Sequence, residues 1–122
     1  MGLLEKVEGA VNKICSNYDI ISAYLYGSFA RGEEGEKSDV DIGLVFEDYS
    51  LSKLLEVGRK IEEDADIDRK IDVRALNNAD TSFSFQVIKE GKVLYESNRS
   101  RRADIEESIA RHYHDMKPLI DD

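Results

Sequence analysis

The residues with the clearest chemical potential lie between Gly27 and Asp72. Asp39 and Asp41 flank Val40, and on an extended strand residues two apart project to the same face. Both carboxylates then point one way while Val40 and Ile42 point into a core. Two like charges about 7 Å apart repel in a low dielectric, and a hard divalent cation is their natural partner. Asp72 stands between Ile71 and Val73 in a later alternating segment. If the two strands pair in suitable register, at about 4.8 Å, Asp72 reaches the same ion. Three such acids can hold two metals about 3.5–4 Å apart, the arrangement that clamps both sides of an in-line phosphoryl displacement. Upstream, Gly27-Ser28 ends one run and opens a helical turn. Glycine admits close backbone approach and the free N–H groups of a helix start face an anion, so this turn can receive a phosphate.

Each feature also has an ordinary reading. Gly-Ser after a strand is a common turn, acid-x-acid is often a solvent face, and Asp72 can simply pair with a nearby base. The joint order is what distinguishes them: strand, Gly-Ser, basic residue, Ser-Asp-x-Asp strand, then a lone Asp on a later strand.

These residues need a scaffold, and the apolar periodicity supplies one. Leu3, Leu4, Val7, Val11, Ile14 and Cys15 recur at helical steps and predict a helix from Leu3 to Tyr18. Ile20–Tyr26 is β-branched and aromatic, a buried strand. Phe29-Ala30-Arg31 makes a short helical turn before Gly32, and a polar loop runs from Glu33 to Ser38. Val40, Ile42, Leu44 and Phe46 alternate with Asp39, Asp41, Gly43 and Val45, the period of a half-buried strand.

Leu51 to Ile61 follows as a helix with Ser50 as N-cap, and Ile71, Val73 and Ala75 mark a third strand. Asp80 or Thr81 caps a short helix carrying Phe83, Val87 and Ile88, which Gly91 stops in the left-handed conformation. Lys92–Tyr95 is a fourth strand, and Ile105, Ile109, His112, Tyr113 and Met116 stripe a last helix that Pro118 ends. The strands lack regular crossover helices, so the expected class is α+β: a two-layer domain, a mixed β-sheet with helices packed on one face, spanning residues 1–122 as a single unit.

Composition narrows the function further. The chain has 122 residues with 17 Lys+Arg against 26 Asp+Glu, a formal charge of −9. Such an acidic domain without a basic run lacks the footprint of phosphate-backbone binding, so direct nucleic-acid binding is not expected. No apolar stretch approaches the roughly 20 residues of a membrane span, and the amino terminus has no unbroken apolar core, so a cytoplasmic protein without membrane association is expected. Cys15 is the single cysteine and falls on the apolar helical stripe, a buried structural thiol. Seven acids and one base between Glu33 and Asp48 carry −6 of the charge, around the candidate metal site. His112 and His114, two apart on a helix, diverge by about 200° and cannot chelate one ion. Arg99, Arg101, Arg102 and Arg111 interleave with acids, as a solvated helix or a partner face would.

Read as Gly27-Ser28-Phe29-Ala30-Arg31-Gly32, five residues, then Ser38-Asp39-Val40-Asp41-Ile42, the segment resembles the signature of the DNA polymerase β-type nucleotidyltransferase superfamily, nearest its minimal nucleotidyltransferases (MNT). That resemblance implies the nucleotidyltransferase fold and assigns roles. Ser28 and the Gly27 backbone would bind the triphosphate of ATP, and Asp39 and Asp41 would ligate two Mg²⁺ ions. Asp72 would complete the metal site and help deprotonate the attacking hydroxyl. Arg31 and Ser38 occupy motif positions for nucleotide binding, either touching phosphate or bracing the loop.

The resemblance also implies a partner. Minimal nucleotidyltransferases resemble antitoxins that neutralise HEPN-domain ribonuclease toxins by transferring AMP from ATP to a tyrosine. So small a chain suits that arrangement, because the toxin would bring the acceptor hydroxyl; homo- and hetero-oligomers are both compatible with it. Two other readings stand beside this one: an antitoxin that neutralises by binding alone, and a nucleotidyltransferase acting on a small molecule such as an aminoglycoside. Three mutually repelling acids weigh against the first, and the small size against the second.

Overall fold

The computed structural model describes residues 2–32, 35 and 38–120, the last two as backbone only. In chain order the elements are α1 (Leu3–Cys15), β1 (Ile20–Tyr26), α2 (Ser28–Arg31), β2 (Val40–Phe46), α3 (Leu51–Ala65), β3 (Ile71–Ala75), α4 (Thr81–Glu90), β4 (Lys92–Glu96) and α5 (Arg99–Ile120). The sheet order is β3-β2-β1-β4. β1 runs antiparallel to both β2 and β4, whereas β2 and β3 are parallel. A parallel pair cannot be joined by a tight hairpin, and α3 supplies the crossover.

The α+β class and the mixed sheet are as expected, but the helices, expected on one face, occupy both. On one face Val7 and Val11 of α1 and Val57 and Ile61 of α3 pack against Ala23, Leu25, Val40, Ile42 and Leu44. On the other, Val87 of α4 closes over Ile21, Tyr24, Val45 and Leu76, with Phe83 and Ile105 alongside. The alternation in β2 therefore separates two cores instead of core from solvent. Gly43 belongs to the second of them: a Cβ there would stand 3.3 Å from Leu76 Cδ2 and 3.4 Å from Val87 Cγ1. Among the described residues no helix is long and apolar enough to cross a membrane.

Local signals explain most boundaries. Ser50 Oγ accepts from the Lys53 amide at 3.1 Å, and Asp80 Oδ1 accepts from the Phe83 amide at 2.9 Å, two side-chain N-caps. The first helix stops at Cys15, three residues before the expected Tyr18. The amides of Asn17 and Tyr18 instead donate three residues back, to Ile14 and Cys15, a tightened last turn that still packs Tyr18 on the core. Burial pushes the Cys15 thiol up to about 12, consistent with a structural role.

Two stop signals act differently from expectation. Pro118 lies inside α5, which runs on to Ile120. Its fixed φ is itself helical, and this close to the end its missing N–H removes a single bond of the final turn. Gly91 is extended, with φ −77° and ψ 166°, not left-handed. What requires glycine is crowding: a Cβ would collide with the Val87 carbonyl oxygen and stand 2.9 Å from that of Leu25. Two arginines of α5, Arg101 and Arg102, serve as ties to the rest of the fold. Arg101 pairs with Glu47 at 2.6 Å, while Arg102 joins Glu96 at 3.3 Å and Glu106 at 2.7 Å. Glu106 in turn accepts from the Tyr24 hydroxyl at 2.7 Å, linking α5 to β1.

The Gly91 packing gives a direct test. Gly91→Ala leaves the backbone angles permitted but forces α4 and β1 apart, and is expected to cost about 1–3 kcal/mol. Urea unfolding should show the midpoint falling with an unchanged slope.

Candidate active site

The two candidate acids on neighbouring strands meet in register. Asp41 of β2 pairs with Asp72 of β3, and on its other side with Tyr26 of β1, so Tyr26, Asp41 and Asp72 form one row across the sheet. The row lies on the face opposite the α1/α3 core, because Val40, Ile42, Ile71 and Val73 point into that core. β2 begins at Val40, so Asp39 sits just outside the ladder and is exposed at the mouth of the strand. Its charge still acts on Asp41.

Burial and like charge act together on Asp41. The Asp41 carboxyl is pushed above the usual carboxylate range, by burial first and then by Asp72 and Asp39, against the smaller opposing pull of Arg74 and Arg31. Burial likewise drives the Tyr26 hydroxyl up to about 12. Asp72 is half-buried and pairs with Arg74, Nε to Oδ2 at 3.3 Å. The base it finds is two residues along its own strand.

Gly27 stands against this row. It ends β1 with φ 75°, a conformation that favours glycine, and a Cβ would collide with Asp41 Oδ2. Ser28 opens α2, whose Phe29 is buried in the larger core and so fixes the turn. Arg31 is the last residue of α2. Ser38 has a bracing contact: its hydroxyl accepts from the Gly35 amide at 2.7 Å. Glu33, Glu34, Glu36 and Lys37, within the acidic loop, lie outside the described residues.

Arg69 is not among the residues that the sequence pattern singles out. Its guanidinium donates to the Gly35 carbonyl at 3.0 Å and the Ser38 carbonyl at 3.2 Å, and sits 5.5 Å from the Phe29 ring centroid. It thus ties the loop and α2 to the start of β3. The overlooked signal was its place immediately before the third strand. Tyr26 and Arg74 were likewise identifiable only through register.

The donor set suits a hard cation: acid oxygens only, one of them already disfavoured as an anion. The cage is not preformed, since among the described residues no three Asp, Glu, His or Cys side chains converge on one point. Asp72 is turned toward Arg74 and Asp39 is exposed, which accounts for the open arrangement.

The family model for "Polymerase beta, Nucleotidyltransferase" matches residues 10–100, a span that includes the Gly27 turn and the whole acid row. The chain is a member of the polymerase β nucleotidyltransferase family. Among its relatives, the protein adenylyltransferase MntA of Shewanella oneidensis is 28% identical over 104 residues, covering 81% of this chain and 73% of the relative. A chain from a toxin–antitoxin crystal structure with AMP-PNP superposes with a TM-score of 0.69 at 25% identity, covering 93% of this nucleotidyltransferase and 95% of that chain. A putative nucleotidyltransferase from Sulfolobus solfataricus shares the fold, at TM-score 0.53 and 18% identity over 80% of this chain and 83% of its own. A chain of the solved complex of tri-AMPylated Shewanella oneidensis HEPN toxin with MNT antitoxin also shares it, at TM-score 0.63 and 24% identity, covering 96% of this chain and 95% of that one.

The raised Asp41 carboxyl makes a pH-dependent prediction for the metal-free nucleotidyltransferase. A folded-state pKa above the unfolded value means that the native protein holds the proton longer, so ionising Asp41 lowers stability as pH rises. Asp41→Asn should therefore match the parent below the ordinary carboxylate value of 3.8 and exceed it at neutral pH. Melting temperatures across that range should show the gap opening as pH rises.

Proposed function

We propose that this nucleotidyltransferase is an antitoxin-type protein adenylyltransferase, moving AMP from ATP to a hydroxyl, a tyrosine in this reading, on a HEPN-domain toxin in the cytoplasm. The observation that carries the proposal is the register of Asp41 with Asp72 directly behind the Gly27 turn. It lies in a chain similar to MntA and to a toxin–antitoxin structure holding an ATP analogue. Residues 1–122 act as one catalytic unit, and the toxin delivers the acceptor.

In the reaction the acceptor oxygen forms a bond to the α-phosphorus of ATP, the bond from that phosphorus to the α,β-bridging oxygen breaks, and pyrophosphate leaves. Gly27 lets the backbone approach the triphosphate without a side chain in the way, and Ser28 adds a hydroxyl donor beside it. Arg31 contributes positive charge near the phosphates, and Ser38 keeps the loop in place. Asp39 and Asp41 would hold two Mg²⁺ ions, with Asp72 completing the set. When bound, these ions neutralise the acid row and the phosphate oxygens and stabilise charge in the in-line displacement. Asp72 takes the acceptor proton, which requires its carboxylate to leave Arg74.

The carboxylate row also argues against a role confined to binding, since it costs stability that a binding surface has no reason to bear. Asp39→Ala/Asp41→Ala should fold as the parent does and lose transfer of α-labelled phosphate from ATP to the co-expressed toxin by at least about 10³-fold, as expected when the charge stabilisation of the transition state is removed. Transfer at the parental rate would reject the assignment, and label appearing on a small molecule in place of the toxin would redirect the acceptor.

A further inference from the structure

Phe83 of α4 lines two cavities. One, of about 370 Å³, lies on the β3 side and includes Arg74 and Asp80. The other, of about 200 Å³, is bounded by Tyr26, Gly27, Arg31, Phe83, Gln86 and Glu90. This second cavity shares Gly27 and Arg31 with the phosphate turn and Tyr26 with the acid row, so whatever fills it is continuous with a nucleotide on that turn. At about 200 Å³ it falls below the roughly 300–1,000 Å³ of a site for a whole drug-sized ligand. It suits one ring system.

We propose that this cavity is the nucleobase subsite and that Gln86 and Glu90 select a purine bearing an exocyclic amine, the adenine of ATP; the inference rests on the adenylyltransferase reading. The aromatic contribution comes from Tyr26 and Phe83, whose rings meet edge to face with centroids 5.4 Å apart, offering a base one ring face to stack on and another's edge. The selective contribution comes from the polar wall. Gln86 Nε2 donates to Glu90 Oε2 at 3.3 Å. A carboxylate only accepts, so this contact uses one of the two hydrogens of the Gln86 amide, fixes which way the amide points, and leaves Gln86 Oε1 and Glu90 Oε1 as two acceptors. An exocyclic amine offers two hydrogens to match them. An acceptor phenol, with a single hydroxyl, needs neither, and it would approach from the opposite side of the phosphorus to the leaving pyrophosphate. The β3-side cavity shares only Phe83 with this one and none of the phosphate turn.

Gln86 and Glu90 are exposed on α4, outside both cores, so they can be replaced without disturbing packing. The test is calorimetric binding of three probes to the full chain in Mg²⁺: ATP, purine riboside triphosphate, which lacks only the amine, and inorganic tripolyphosphate. The parent should bind ATP about tenfold tighter than the purine analogue, the value of one to two hydrogen bonds. Gln86→Ala/Glu90→Ala should bring the two nucleotides within about twofold and leave tripolyphosphate unchanged. Parental discrimination in that variant, or equal loss for all three probes, overturns the subsite. A parent that binds none of the three overturns the nucleotide reading itself, and one that binds tripolyphosphate as tightly as ATP overturns the subsite alone.

Discussion

Two carboxylates side by side on adjacent strands repel, and the surroundings of the Asp41–Asp72 pair are arranged to tolerate that repulsion. Register sets the problem, because parallel pairing of β2 with β3 puts the two residues directly opposite each other. Partial burial sharpens it by weakening solvent screening around Asp41. Arg74 draws off the Asp72 charge in the metal-free protein, and Gly27 gives up its side chain so that Asp41 has room. Proteins keep such unfavourable local arrangements where function requires them.

The sheet can bear this cost because its other face is invested in stability. Val7, Val11, Val57, Ile61 and the inward residues of β1 and β2 form the larger apolar core. On the acid-row face α4 and α5 cover β1 and its neighbours, joined through Val87, Ile105 and the Tyr24–Glu106–Arg102 chain. The acids on β2 and β3 stay open there. One face therefore anchors the strands while half of the other is free for ligands, a division that a sheet with helices on a single face would make less selectively.

Much of this was legible in the chain. The caps Ser50 and Asp80, the β-branched strands and the Gly27-Ser28 to Asp39-Val40-Asp41 spacing depend on near neighbours in sequence, and each element formed close to its expected place. The errors share one cause. The Gly91 stop and the exposure of the second face were each judged from local pattern, whereas the deciding contacts come from far along the chain: Leu25 against Gly91, and Val87 over Gly43.

By itself the sequence determined which residues can do chemistry, since carboxylates two apart after a glycine turn state a donor set and a face, and alternation states which side chains turn inward. It also determined the element types, because hydrophobic period and caps act over a few residues. Only the tertiary structure decided that Asp72 lies opposite Asp41 and not one residue away, because register follows from the path of α3 and the packing beneath both strands. It alone placed Tyr26 in the same row, paired Arg74 with Asp72, and set α4 beside the Gly27 turn to make a cavity. Those are relations between segments distant in sequence, fixed by burying two faces of one sheet at once.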